Sequence, residues 1–163
     1  MPKITPFLWF DDQAEEAVEF YLSVFPNSRI TQVARYSEAG PGPTGAVMTI
    51  HFDLDGSAFV ALNGGPAHYG FDESISFLID CATEEEVDHY WEALTEGGEE
   101  IACGWLKDRY GVRWQVVPSE LPSVLGDPDQ ERANRAMQAM LTMKKLDLGA
   151  MKQAADGVVS QSR

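Results

Sequence analysis

The chain has 163 residues, of which 44% are hydrophobic and 23% charged, the makeup of an ordinary globular protein with a sizeable core. Its formal net charge of −14 disfavours binding to nucleic acids or anionic membranes, because both carry negative charge themselves. The apolar start at residues 4–10 is too short for a signal peptide, and no stretch is long enough to span a membrane. We therefore expect a cytoplasmic protein in which Cys81 and Cys103 are reduced thiols.

The first third of the sequence predicts a strand, a helix and three further strands. Residues 4–10 form the first strand, and a helix with Asp11 or Asp12 as its N-cap runs to about Phe25. Its apolar residues follow one helical stripe: Ala14, Ala17, Val18, Tyr21, Leu22 and Phe25. Further strands are predicted at residues 29–36, 46–54 and 57–62, with a Gly/Pro-rich loop at 38–45 and a hairpin turn at Asp55-Gly56.

The same order of elements recurs in the next part of the chain. A strand at residues 74–80 precedes a helix that has Thr83 and Glu86 as a capping box. A short strand near residues 100–103 then leads into a hairpin over residues 103–118, whose second strand alternates Val112, Trp114 and Val116 with Arg113, Gln115 and Val117. The repetition predicts two βαβββ modules, at residues 3–65 and 72–118.

The composition becomes helical after the second module. Residues 119–125 predict one short turn, and Asp127-Pro128 predicts the start of a helix that reaches about Lys145. Asp147 is the expected N-cap of a last short helix ending near Ala155. We expect a helical extension at residues 119–155 and a frayed tail at residues 156–163.

Several segments, in order along the chain, match a known family pattern. They are Phe20-Tyr21, Phe25 to Ser28, Phe59 to Pro66, Ile75 to Phe77, Tyr90-Trp91, Cys103 to Asp108 and Trp114 to Pro118. The sequence resembles the PhnB-like branch of the vicinal-oxygen-chelate superfamily of glyoxalases, bleomycin-resistance proteins and extradiol dioxygenases, a branch also described as 3-demethylubiquinone methyltransferase-like. The resemblance implies a single α+β domain, in which two modules form a cupped mixed sheet with added C-terminal helices. It also implies a homodimer that can exchange modules between chains.

Metal-dependent members of the superfamily take one ligand, usually His or Glu, from each of four strands. The resemblance places these four positions at about Thr5, Ala61, Ser74 and Gln115. Two hydroxyls, a methyl and an amide do not supply the imidazole and carboxylate ligands of such sites. We therefore predict no metal and no other cofactor.

The register implied by the resemblance turns a set of aromatic and polar side chains into the cup. The ligand-binding candidates are Phe7, Trp9, Phe59, Asn63, Ser76, Arg113 and Gln115. This set suits a small, flat or amphipathic ligand, including an anionic one. A second candidate is the pair His51 and Asp53, two residues apart on one strand face, which is open to three interpretations: a base with its orienting carboxylate, part of a relocated metal site, or a polar pair without chemistry.

The leading hypothesis is a protein that either only binds or also converts a small molecule in the cup, without a metal. One alternative is a metal-dependent lyase or dioxygenase that uses His51 and Asp53. Another is methylation of 3-demethylubiquinone, although the sequence has no glycine-rich strand-to-helix loop for S-adenosylmethionine. The last is an interaction module in which the candidate side chains fill a dimer core.

Overall fold

The computed structural model describes residues 3–157. Two compact units make up the chain, one extending through Gly70 and the other from Phe71 onwards. The predicted module ranges 3–65 and 72–118 fall one in each unit. Within residues 3–157, no helix is both long and apolar enough to cross a membrane.

The first unit is a four-stranded mixed sheet covered on one face by a helix. Its elements are β1 (Phe7–Phe10), α1 (Ala14–Val24), β2 (Arg29–Arg35), β3 (Val47–Leu54) and β4 (Ser57–Asn63). The strand order is β1-β4-β3-β2, with β1 parallel to β4 and the other neighbours antiparallel. Helix α1 buries the predicted apolar stripe, including Ala14, Ala17, Val18 and Tyr21. Strand β1 begins at Phe7, three residues later than predicted.

The second unit repeats this topology and adds three helices. Its elements are β5 (Phe77–Cys81), α2 (Glu84–Thr95), β6 (Glu99–Glu100), β7 (Trp105–Lys107), β8 (Arg113–Pro118), α3 (Leu121–Leu125), α4 (Gln130–Met140) and α5 (Leu148–Ala155). The strand order β5-β8-β7-β6, with β5 parallel to β8, matches that of the first sheet position by position. The predicted α+β class, with two βαβββ modules and C-terminal helices, is confirmed.

The predicted start of α1 at Asp11 or Asp12 is wrong. Gln13 is the N-cap and offers no side-chain cap to the helix. The first free N–H, that of Ala14, instead donates to Asn63 Oδ1 at 2.8 Å. A distant amide therefore satisfies a donor that helices usually cap with a neighbouring side chain.

The start of α4 also differs from the prediction. Asp129, rather than Asp127, is its N-cap and accepts from the N–H groups of Glu131 and Arg132. Asp127 accepts from Arg132 Nε at 2.9 Å, which fixes the approach to the helix. The helix ends at Met140 rather than near Lys145.

The other predicted caps are confirmed. The first residue of the predicted tail is held by a hydrogen bond to α4. The Thr83 hydroxyl accepts from Glu86 N–H at the start of α2, and Asp147 accepts from Ala150 N–H at the start of α5. Asp156, predicted to open the tail, accepts from Arg132 Nη1 at 2.6 Å. Residues 158–163 of the predicted tail lie outside the described residues.

The C-terminal extension attaches to the second sheet through backbone hydrogen bonds. Cys103 N–H donates to the Met143 carbonyl at 2.9 Å, and Gly104 N–H donates to the Lys144 carbonyl at 2.7 Å. Gly104 has a φ of +85°, and a Cβ there would lie 2.9 Å from Leu146 Cδ1. The extension therefore requires a glycine here both for backbone conformation and for contact with Leu146.

Replacing Leu146 with alanine is expected to lower the free energy of unfolding by about 2 to 3 kcal/mol, because the side chain is 3% exposed and its loss leaves a cavity. Leu141→Ala is the matched control, since Leu141 is 64% exposed on the same extension. Urea unfolding of both variants measures the difference. Equal midpoints for the two variants would show that the extension does not pack as described.

The two cysteines are free thiols in different environments. Cys81 is buried, and burial, aided by the nearby Glu86 carboxylate, raises the pKa of its thiol from its usual value to about 11. As the pH rises above 9, the unfolded chain releases this proton before the folded one does. The free energy of unfolding is therefore expected to fall between pH 9 and 11.

Urea unfolding between pH 8 and 11 tests this expectation. The pH-dependent loss of stability should be smaller in Cys81→Ala than in the unchanged protein, whatever the absolute stability of the variant. Labelling with Ellman's reagent at pH 8 should also modify the partly exposed Cys103 before Cys81. Faster labelling of Cys81, or an identical pH profile in the variant, would contradict the account.

Candidate functional site

The strand register of the first unit decides which side chains share a face of the sheet. Phe7 pairs with Val60 and Trp9 with Leu62, while His51 and Thr49 pair with the same two β4 residues. Paired residues point to the same side of a sheet. The side turned away from α1, here called the far face, therefore carries Phe7, Trp9, Thr49, His51 and, by alternation, Asp53.

Phe59, Ala61 and Asn63 lie on the opposite, helix-covered face, so their predicted place beside Phe7 and Trp9 is wrong. Ala61 pairs with Leu8 and is fully buried. Phe59 is 8% exposed and stacks on Phe52, with ring centroids 5.6 Å apart. The parallel β1–β4 register is offset by one residue from the one assumed, and a one-residue offset moves every side chain of a strand to the other face.

Asn63 connects the strands to α1 through side-chain hydrogen bonds. Its Oδ1 accepts from Ala14 N–H, while its Nδ2 donates to the Val47 carbonyl at 3.1 Å and to Glu15 Oε2 at 3.3 Å. Both amide protons and one acceptor position are thus in use within the first unit. Its predicted role in ligand binding stays a prediction.

Trp9 is held in place on the far face while 41% of it stays exposed. Its indole Nε1 donates to the Gly65 carbonyl at 3.0 Å, and Tyr69 contacts it edge-on with ring centroids 6.4 Å apart. A Cβ at Gly64 would lie 2.2 Å from indole Cε2, and Gly65 has a φ of +81°. The two glycines of this loop therefore serve close backbone geometry.

His51 and Asp53 share the far face, as predicted, but Asp53 already has a partner. Its Oδ2 accepts from Arg29 Nε at 3.4 Å, across the β2–β3 pairing. Among residues 3–157, no group of three His, Cys, Asp or Glu side chains is placed to hold a metal ion. The geometry therefore gives no support to a relocated metal site at this pair.

In the second unit, Arg113 and Gln115 lie on the less buried face of β8, opposite the face that carries the buried Trp114 and Val116. Gln115 pairs with both Leu78 and Trp105, so these two apolar side chains share its face. Sequence reasoning missed both residues. Pairing the two strands across the hairpin turn would have placed Trp105 opposite Gln115.

Arg113 is bound by its own chain. Its Nε and Nη2 donate to Glu73 Oε1 at 3.1 and 2.8 Å, and its Nη1 donates to the carbonyls of Phe71 and Gly111. The side chain is 12% exposed, and the guanidinium lowers the pKa of the Glu73 carboxyl below its usual value. A ligand anion would have to compete with Glu73 for this cation.

The four positions at which the resemblance placed metal ligands carry side chains that do not suit a metal ion. Gln115 Nε2 donates to the hydroxyl of Ser76, one of the ligand-binding candidates, at 2.9 Å, so the Gln115 amide is already hydrogen-bonded. The Ser74 hydroxyl donates to Asp72 Oδ1, and Ala61 lies on the helix-covered face. Thr5 is exposed and offers a neutral hydroxyl. Such groups lack the charge and basicity that first-row metal ions require.

Comparison with known proteins agrees with this fold. The profile of the 3-demethylubiquinone-9 3-methyltransferase family matches residues 2–117. The PhnB protein from Bacillus cereus is 37% identical, with the similarity covering 72% of this chain and 99% of that chain at a TM-score of 0.66. The chain belongs to this PhnB-like family. No curated protein matches it.

Solved structures of lower sequence identity share the fold alone. Protein PA1353 from Pseudomonas aeruginosa is 21% identical, covering 72% of this chain and 98% of that chain at a TM-score of 0.61. The fosfomycin resistance protein FosX from Listeria monocytogenes, in complex with Mn(II) and sulfate, is 14% identical. The similarity covers 77% of this chain and 95% of that chain at a TM-score of 0.52. The family match ends at residue 117, so α3, α4 and α5 lie beyond it.

Proposed function

We propose that this PhnB-like protein binds a small planar or amphipathic molecule on the far face of its first unit, without a metal. The supporting observation is the exposure of two aromatic side chains there. Phe7 and Trp9 are 58% and 41% exposed, whereas Leu8 and Phe10 between and beside them are buried. Adjacent exposed aromatics cost free energy in water, and a stacked ring would recover about 0.5 to 1.5 kcal/mol per pair beyond its buried area.

The chemistry of the surrounding side chains favours an uncharged ligand over an anion. Thr49 and His51 lie on the same face as Trp9 and offer hydrogen-bonding groups. The Asp53 carboxylate on this face is bonded to Arg29, and Arg113, the one cation among the ligand-binding candidates predicted from the sequence, is bonded to Glu73 within its own unit. Among the small, flat or amphipathic ligands expected from the sequence, we therefore propose a neutral one rather than an anion.

Metal independence is proposed from the donor chemistry. Thr5, Ala61, Ser74 and Gln115 offer neutral oxygens or none, and the hydroxyl of Ser74 and the amide of Gln115 are hydrogen-bonded to neighbours. Methylation, which the family description suggests, is not favoured, because the strand-to-helix turns at residues 11–13 and 82–83 contain no glycine. Calorimetry with S-adenosylmethionine should accordingly show no binding heat.

We also propose that the protein forms a homodimer, as the resemblance implies. Large apolar side chains support self-association: Ile75 is 70% exposed and Leu78 57% exposed in the second unit. Sedimentation velocity over a range of concentrations measures the oligomeric state. Quenching of Trp9 fluorescence by acrylamide, with the other tryptophans replaced by phenylalanine, separates two cases: a ligand surface keeps Trp9 accessible in the dimer, whereas an interaction module shields it.

Native mass spectrometry of protein purified without added metal tests the proposed function. The expected spectrum shows the protein free of bound metal, with any retained adduct removable by mild activation as a small organic molecule. One first-row metal ion per chain, surviving dialysis against a chelator, would contradict the proposal.

A further inference from the structure

A cleft lies in the first unit beside the Asn63-Gly64-Gly65 segment. It has a volume of about 480 Å³, within the usual range for small-molecule sites. Its walls come from the N-terminal end of α1, the ends of β1 and β4, and the Gly/Pro-rich loop. The Gly64-Gly65 segment lines this cleft and also contacts the Trp9 indole, whereas Trp9 itself does not line the cleft.

The loop that closes one side of the cleft is packed in a defined position. Tyr36 is 8% exposed, and its hydroxyl donates to the Asn63 carbonyl. A Cβ at Gly42 would lie 2.5 Å from the Tyr36 ring, so the loop backbone rests directly on that ring. The adjoining Pro41 and Pro43 give the cleft an apolar wall.

The opposite wall is acidic. Asp11, Asp12 and Glu15 line it, and Arg35 is the one guanidinium among the lining residues. Arg35 Nη1 donates to the Gly45 carbonyl at 3.0 Å and so holds the loop, while Asn63 Nδ2 holds the Glu15 carboxylate. The cleft thus combines carboxylates, one of them hydrogen-bonded to the partly buried Asn63, with an apolar wall of two prolines.

From this combination we propose that the cleft binds a small organic cation, a primary amine or guanidinium compound with a short apolar chain. The carboxylates would receive the charged N–H groups, and the prolines would contact the chain. The volume exceeds what a bare metal ion needs, and among residues 3–157 no group of three ligating side chains is placed to hold one. This inference goes beyond the proposed function and concerns a different surface.

The test is an amide NMR titration of the full chain with n-butylammonium chloride at 0.15 M salt, which screens diffuse attraction to an acidic protein. Saturable shifts are expected at Gly42, Gly64 and Gly65, with a dissociation constant on the order of 1 mM. The matched ligand n-butanoate should shift none of them. Absence of saturation at these glycines, or equal shifts with n-butanoate, would overturn the proposal.

Two exposed variants on the same helix separate the cleft from the general charge of the protein. Glu15→Gln is expected to weaken n-butylammonium binding at least fivefold, whereas Glu19→Gln, which does not line the cleft, should leave it unchanged. Equal weakening by both substitutions would mean that only nonspecific attraction operates. Because neither residue contacts Trp9, ligand binding on the far face should be the same in both variants, whichever result is found here.

Discussion

Replacing Asp108 with alanine is expected to lower the free energy of unfolding by about 3 to 5 kcal/mol, one of the largest effects in this chain. Asp108 is 1% exposed in the turn between β7 and β8. Its Oδ1 accepts from the N–H groups of Tyr110 and Val112 at 2.9 and 3.0 Å, and its Oδ2 accepts from Trp114 Nε1 at 2.8 Å. Alanine would leave three donors without this acceptor, two of them in the buried interior.

Asp108→Asn and Asp80→Ala are the comparisons. The asparagine keeps one acceptor oxygen but turns an amide N–H toward the donor of Trp114, so about half of the loss is expected. Asp80 is an exposed carboxylate on β5 and its removal should change stability by about 0.5 kcal/mol or less. Urea unfolding followed by fluorescence measures all three. A loss below 1 kcal/mol in Asp108→Ala would show that this turn does not depend on its carboxylate.

Replacing Gly64 with alanine is expected to displace the Trp9 indole and to weaken binding of a planar neutral probe, coumarin, at least tenfold. The added Cβ would stand 2.2 Å from indole Cε2 and 2.4 Å from Cζ2, far inside van der Waals contact. The ring would have to leave its hydrogen bond to the Gly65 carbonyl. A ring that is no longer fixed must be ordered each time the ligand binds, and this ordering lowers the binding free energy gained.

Trp9→Ala should abolish coumarin binding, and Trp9→Phe should retain part of it, because a smaller ring still stacks. Gly70→Ala is the matched glycine control: nothing lies within 4 Å of a Cβ at that position, which is in the same unit. The Trp9 indole N–H resonance reports both ring position and binding. Unchanged affinity in Gly64→Ala, with a shifted indole resonance, would separate the loop geometry from function and contradict the proposal.

The alternation of side chains was predictable wherever one strand carried its own pattern. In β8, Trp114 and Val116 are buried while Arg113 and Gln115 are partly exposed, as their spacing indicates. Strand β3 likewise buries Ile50 and Phe52 beside the less buried His51. Local periodicity suffices there because each strand packs a single apolar face.

The relative register of two strands was not predictable in the same way. Strand β1 contains only apolar residues, Phe7 to Phe10, so its sequence does not indicate which of its two faces is buried. Its parallel partner β4 lies some fifty residues away, and the family pattern was laid on it one residue out of step. That single offset misplaced Phe59, Ala61 and Asn63 together.

Long-range polar partners were the other unpredictable element. Arg113 looks like a free cation in its strand, but Glu73 and two carbonyls hold it from another part of the second unit. Asn63 looks like a loop residue, but it caps α1 in place of the aspartates that precede the helix. Both arrangements depend on tertiary packing, which overrides local helix-start and strand signals.

The most direct measurement for the central claim is a titration of chelator-treated protein with coumarin, followed through the Trp9 indole N–H resonance. The account predicts a saturable shift of this resonance, together with the amides of Thr49 and His51, in the presence of EDTA. A shift that appears only after Mn(II) or Zn(II) is added would contradict metal-independent binding on the far face.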